Sequence, residues 1–165
     1  MDKNIILPKV EVGKTIGFLE ILDDYGSKVD IAKIAADLLL DLDDVLPVVD
    51  TAEMFNFIKV EDGDLTLTKS GLEFVTQGIR GRKKIINNCL NNTTVFQIIN
   101  KEINKDKEKS MDKEELLSIL RTLLPDTEVE NAFRIILEWG RHGLVLRYDS
   151  LKNCLPTMWS LASSG

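Results

Sequence analysis

The sequence predicts a mainly helical chain with short β-hairpins, laid out as two units of one plan. Three observations predict it. Apolar residues recur at helical spacing along most of the chain. Asp62-Gly63 stands between two β-prone runs, a strong signal for a tight hairpin. The order helix, helix, hairpin then occurs twice, with little residue identity between the copies. At 165 residues and 44% hydrophobic content the chain can bury one core or two small ones. Aromatics make up only 6%, so leucine, isoleucine and valine must supply that core.

The elements follow in order. Pro8 rules out a helix across the lead-in at 1–10. Over 12–25, Ile16, Phe18, Leu19, Ile21 and Leu22 keep helical spacing, and Gly26 supplies a stop. Asp30 caps a second helix through Leu39, with Ile31, Ile34, Ala35 and Leu38 on one face. A third helix starts at Asp43 or Asp44. With Asp44 as the cap, Pro47 falls at the third helical position, where its missing N–H is harmless. Leu46, Val49, Ala52 and Phe55 or Met54 then point inward. Residues 57–61 and 64–68 form the hairpin, and 70–77 a helix leaving it.

The second half opens with helices over 79–90 and 95–103 and a polar, flexible loop at 105–110. Asp112 caps a helix through Leu124, carrying Leu116, Leu117, Leu120 and Leu123. Residues 125–127 introduce a longer helix to Arg141, with Val129, Phe133, Ile136 and Leu137 inward and Gly143 as its end. A second hairpin over 144–148 and 153–157, around Asp149-Ser150, completes the repeat. Helix, helix and hairpin outline a winged helix, so the chain reads as two tandem winged-helix-like units, 1–78 and 79–165.

That outline is common in DNA readers, but the charge opposes the role. From Asp41 to Ile58 there is no lysine or arginine, and the third helix carries Asp43, Asp44, Asp50 and Glu53. Residues 1–78 hold seven lysines, no arginine and sixteen acids, a balance of −9. Residues 79–165 balance at +3, within a net charge of −6. An acidic half repels nucleic acid and anionic lipid, so its expected partner is a protein. The helix over 127–141 sets Arg134 and Arg141 against Glu128, Glu130 and Glu138, a poor composition for base readout. The basic run Arg80, Arg82, Lys83, Lys84 is read as a solvated helix start, and with Arg134 it is the candidate set for phosphate contacts. No aromatic is interleaved with it, as single-strand binding would need.

Catalytic and metal chemistry find little support. The lone His142 has no nucleophile motif beside it and is placed at a helix C-terminus, where the dipole favours a cation. Cys89 and Cys154 are far apart and read as buried apolar residues. Trp139 reads as a core anchor. Gly13-Lys14-Thr15 has Pro8 where a phosphate-binding loop needs its first glycine, and reads as the start of the first helix. No enzyme, metal or cofactor is expected. No apolar run approaches the ~20 residues of a membrane helix, and residues 1–8 lack a signal-peptide layout, so a cytoplasmic location is expected.

Several stretches resemble a known family. They are Val12-Gly13 through Glu20-Ile21-Leu22, Asp30 through Leu38, and Asp43 through Phe57. The hairpin from Gly63 to Thr68 with Gly71, Glu138-Trp139-Gly140-Arg141, and Tyr148-Asp149 complete the set. Together, over about residues 10–157, they look like the AAA-associated C-terminal domain. That domain follows the ATP-binding cassette in some transporters of the nitrate, sulfonate and bicarbonate class, and also occurs without it. The cassette motifs are missing here, so the resemblance implies no ATP hydrolysis by this chain alone, and Met1 favours a free-standing relative. It implies a cytoplasmic, non-enzymatic accessory or regulatory module that binds an ABC-type ATP-binding subunit and so lies peripheral to the membrane. A homodimer is compatible with the sequence. The competing expectation is a winged-helix transcriptional regulator.

Overall fold

The computed structural model describes residues 7–146. Its elements are α1 (Val12–Asp24), β1 (Lys28–Asp30), α2 (Ile31–Asp37), α3 (Leu42–Met54), β2 (Ile58–Glu61), β3 (Asp64–Leu67), α4 (Lys69–Thr76), α5 (Ile79–Asn91), α6 (Thr94–Ile103), α7 (Lys113–Leu123) and α8 (Asp126–His142). The chain is mainly helical with a small antiparallel sheet, in agreement with the sequence. By its contacts it divides into two compact units, one of them Pro8–Arg82, with the division inside α5.

In the first unit the sheet has three strands in the order β1-β3-β2. The hairpin is as expected: Ile58 pairs with Leu67 and Glu61 with Asp64. Asp62 (φ 50°) and Gly63 (φ 82°) make the tight turn, a backbone that two ordinary residues would resist. The third strand is an addition to the sequence reading. Lys28, Val29 and Asp30 pair with Thr66, Leu65 and Asp64. Three residues with only Val29 buried carry no readable alternation. The core joins Phe18, Leu19 and Leu22 of α1 to Ile34 of α2, Val45, Val48 and Ala52 of α3, Leu65 of β3 and Phe74 of α4.

The start of α3 differs from expectation. Its cap is Asp41, not Asp43 or Asp44, and Pro47 lies at the sixth helical position. Pro47 therefore deprives the Asp43 carbonyl of its intrahelical donor. Burial of Val45, Val48, Val49 and Ala52 holds the helix together around it. Leu46 is not inward; it is 43% exposed. The helix α2 also ends two residues early, at Asp37.

Four helices end by the same device, in which left-handed backbone turns the chain, at one residue after α2, α3 and α8 and at both Gly26 and Ser27 after α1, and two amides reach back to orphan carbonyls. After α1 the first turning residue is Gly26: its N–H donates to Asp23 O and that of Ser27 to Leu22 O. After α3 it is Asn56, with Phe57 N–H donating to Ala52 O. After α2 and α8 it is Leu39 and Leu144, both at φ 57°. Leu40 N–H donates to Ala35 O, and Val145 N–H to Gly140 O.

In the second unit, α7 begins with a full capping box between Asp112 and Glu115. It packs on α8 through Leu116, Leu117 and Leu120 against Val129, Phe133 and Ile136, all buried. Trp139 is buried, as a core anchor should be. Asn87 donates from Nδ2 to the Gly143 carbonyl at 2.7 Å, fixing the end of α8 to α5. The expected strand from residue 144 is replaced at its start by the helix stop at Leu144. The remainder of that second hairpin, from 147 on, lies outside the described residues, as does Cys154.

Two outcomes follow from these junctions. A Cβ on Gly71 would sit 2.0 Å from the Phe57 carbonyl oxygen and 2.9 Å from its carbon, both backbone atoms that cannot rotate away. Gly71→Ala is expected to destabilise the first unit by ~3 kcal/mol, the upper end of overpacking costs, as read by urea denaturation. Leu39→Gly is expected to do the opposite. It removes a left-handed strain of about 1–2 kcal/mol from a side chain that buries almost nothing, against ~0.5–1 kcal/mol of added chain entropy. The same measurement should show a net gain of roughly 0.5–1 kcal/mol.

Candidate functional site

The outward face of α3 is the candidate site, and helical geometry defines it. At 100° per residue, Leu42, Glu53, Leu46, Asp50 and Asp43 fall within about a third of a turn, opposite the buried Val48 and bordered by the buried Val49. All five are exposed, as is Asp44. The stripe is continued by the turn that joins α2 to α3. There Leu39 is 92% exposed and Leu40 46%, beside Leu42 at 45%. The sequence-chosen acids therefore share a surface with leucines that sequence reasoning assigned to the interior or left unassigned. A readable signal existed: Leu42 and Leu46 stand four apart in the sector shared with Asp43, Asp50 and Glu53, which only Val49 borders from the buried stripe.

The acids are not equivalent. Asp50 forms an ion pair with Lys9, Nζ to Oδ2 at 2.6 Å. The Lys9 backbone N–H donates to Thr51 Oγ1, whose hydroxyl donates to the Pro47 carbonyl, both at 2.9 Å. The lead-in segment is thereby stitched along one edge of α3. Asp43 and Asp44 stand in the first turn, where negative charge suits the helix dipole. Below them, Tyr25 donates to Asp37 Oδ2 at 2.5 Å, and Lys33 pairs with the same carboxylate at 3.1 Å. The tyrosine bond first, and then the lysine, holds the Asp37 carboxyl below the usual range, and the bond to Asp37 pushes the Tyr25 phenol up.

The basic run does not form one surface. Arg80 and Lys84 are exposed, Lys83 is half-buried, and the Arg82 side chain is only 19% exposed. The Arg82 guanidinium donates to the carbonyls of Phe74 (3.2 Å) and Val75 (2.9 Å), the last turn of α4, and to Glu20 Oε1 at 2.7 Å. It also lies over the Phe74 ring. Arg82 is a helix cap bound within its own unit and offers little to a phosphate. Arg134, on α8, is exposed and donates to Asn131 Oδ1 at 2.8 Å.

The phosphate-loop look-alike takes its plain form. Gly13 and Lys14 are exposed in the first turn of α1, while Thr15 is buried and its hydroxyl donates back to the Glu11 carbonyl. A groove of about 730 Å³ in the second unit runs between α6 and α7, lined in part by Glu102, Lys105, Asp106, Ser110 and Glu115. Its charges satisfy one another: Lys105 pairs with Glu102, Ser110 donates to Asp106, and Glu115 belongs to the capping box. Burial pushes the Cys89 thiol up, which makes it an inert thiol rather than a nucleophile. Among the described residues, no helix is long and apolar enough to cross a membrane.

His142 corrects the expectation of a cation at the end of α8. It is the last residue of that helix, but burial, followed by repulsion from Lys83, pushes its imidazole below the ordinary value of ~6.5. The Glu138 carboxylate opposes them only in part. The unfolded chain thus binds a proton at His142 before the folded one does. Stability is full above about pH 6.5 and is lost as pH falls through the folded value. Melting temperatures of the wild type and His142→Gln, compared from pH 7.5 to 5, should converge as the wild type loses this contribution.

A sequence model of one family, described as the C-terminal AAA-associated domain, matches residues 32–149. The matched region holds α3, the hairpin, Gly71 and the Glu138–Arg141 end of α8, and leaves out the 12–22 stretch of α1. No curated protein and no solved structure matches the chain. With more than half of its length matched, the protein belongs to the C-terminal AAA-associated domain family.

Proposed function

We propose that this protein is a non-enzymatic accessory module that regulates an ATP-hydrolysing partner by direct protein contact, the partner being the ATP-binding subunit of an ABC-type transporter. The family membership supports an association with AAA-type proteins. The observation that carries the protein-contact reading is the outward face of α3. Where a DNA reader presents arginine and lysine, this helix presents Asp43, Asp44, Asp50 and Glu53, with no cation from Asp41 to Ile58. Such a face repels phosphate and anionic lipid. The module acts in the cytoplasm and reaches the membrane only through its partner.

The second reading is a winged-helix DNA-binding regulator. One observation supports it: the order α1, β1, α2, α3, β2, β3 with an antiparallel hairpin fits the outline expected of a winged helix. Arg80, Lys84 and Arg134 would then carry the phosphate contacts, since Arg82 is bound within its own unit. The acids on α3 oppose it.

One experiment separates the two. The full chain, cross-linked in native extract and recovered, is expected to bring down a cassette ATPase and to show no shift of duplex DNA at 50 mM salt. Recovery of nucleic acid alone, with a salt-dependent DNA shift, would replace the first reading by the second.

A further inference from the structure

We infer that the outward face of α3, together with the turn between α2 and α3, docks a basic amphipathic helix of a partner protein. The inference deepens the reading above and rests on its claim that the partner is a protein. Two properties coincide on this surface and nowhere else among the described residues. The first is exposed apolar area: Leu39, Leu40, Leu42 and Leu46 are four of the eight large hydrophobic residues left in water among the described residues, and they lie within eight positions. A cluster of that kind marks a contact surface more often than isolated exposed leucines do. The second is charge of one sign: Asp43 and Glu53 flank the leucines, and Asp50 adds a carboxylate already shared with Lys9.

The geometry selects the form of the occupant. Leu42 and Leu46 stand one turn apart, ~6 Å along the axis, and Leu39 extends the row past the helix start. The surface is a convex ridge and not a sheet edge, so its natural complement is another helix packed ridge into groove. The carboxylates select its charge: a helix with aliphatic residues at i, i+3, i+4 and i+7, bordered by lysine or arginine. The strain at Leu39 supports a role for that side chain. A left-handed position is where glycine is favoured, and α1 uses Gly26 in the same place. Leu39 keeps a bulky apolar group there although it gains almost no burial.

The test uses the full ¹⁵N-labelled chain and two synthetic peptides of one composition. One carries leucine at helical spacing with flanking lysines; the other has the leucines scrambled. The helical peptide is expected to shift amides across residues 39–53. Leu39→Gly, Leu42→Ser and Leu46→Ser together should weaken binding at least about tenfold. Asp43→Lys with Glu53→Lys should weaken it too, more at low salt. Arg80→Glu with Lys84→Glu should leave it unchanged. Equal binding by the scrambled peptide, shifts centred elsewhere, or indifference to both the leucine and the acid variants would overturn the inference. So would sedimentation showing self-association that the leucine variants abolish, because the occupant would then be a second copy. The result is separable from the proposed function. Peptide binding here without recovery of an ATPase from extract keeps the surface and removes that partner. Equal ATPase recovery by the wild type and the triple leucine variant keeps the partner and removes the surface.

Discussion

The backbone at Phe57 is the point on which the first unit depends. Asn56 reverses the chain at the end of α3, and the Phe57 N–H closes the helix by donating to Ala52 O. The Phe57 carbonyl accepts from Thr68 N–H at 3.0 Å, which ties the end of the hairpin to its beginning. The Thr68 hydroxyl donates to the Asn56 carbonyl at 2.6 Å and accepts from the Gly71 N–H, so the same residue caps α4. Gly71 then brings α4 against the Phe57 carbonyl, and the Phe57 ring meets Phe74 at 4.8 Å between centroids. One peptide thus sets the exit of α3, the register of the hairpin and the approach of α4. The outward face of α3 is held at a fixed rotation because both its inward valines and its last turn are fastened this way.

What the sequence disclosed was whatever is decided by neighbours in sequence. Asp62-Gly63, the stop at Gly26 and the Asp112 cap rest on contacts a few residues apart, and the structure agrees with each. The error at Leu46 has a geometric cause. A series at strict i, i+3 spacing drifts by 60° at each step, so counting back from Ala52 and Val49 to Leu46 leaves the buried stripe. The shift in the start of α3 has another. Pro47 was a reason to begin the helix late, but tertiary burial of four apolar residues outweighs one missing hydrogen bond. Strand β1 exists only because β3 is present to pair with it. The role of Arg82 depends on Glu20, sixty-two positions away, and no local pattern announces that.

The candidate site was half legible for the same reason. Its acids could be read directly, because carboxylates without partners nearby in sequence stay in water. Its leucines could not, because leucine is the default core residue and only the packed structure shows which leucines the core has no room for. The Lys9–Asp50 pair, which lowers the share of Asp50 in the surface charge, also joins residues forty-one apart. Electrostatic readings of a sequence therefore overcount: they sum charges that the fold pairs, and they miss the apolar area that the fold leaves bare.

Leu39 and Leu144 separate strain from function. Both occupy the left-handed stop of a helix at φ 57°, and both bear the same steric cost. Leu144 is half-covered, is followed by the buried Val145 and Leu146, and ends a helix fixed to α5. About half of its side chain has a place under cover, which recovers part of that cost. Leu39 has no such place: it is bare, in a turn, next to two further exposed leucines. A residue that is unfavourable by conformation and by hydration at once lowers the stability of the isolated chain twice over. Neither term is recovered inside the first unit. The hydration term would be recovered by an apolar surface over the turn, and the acids beside it favour one that is positively charged.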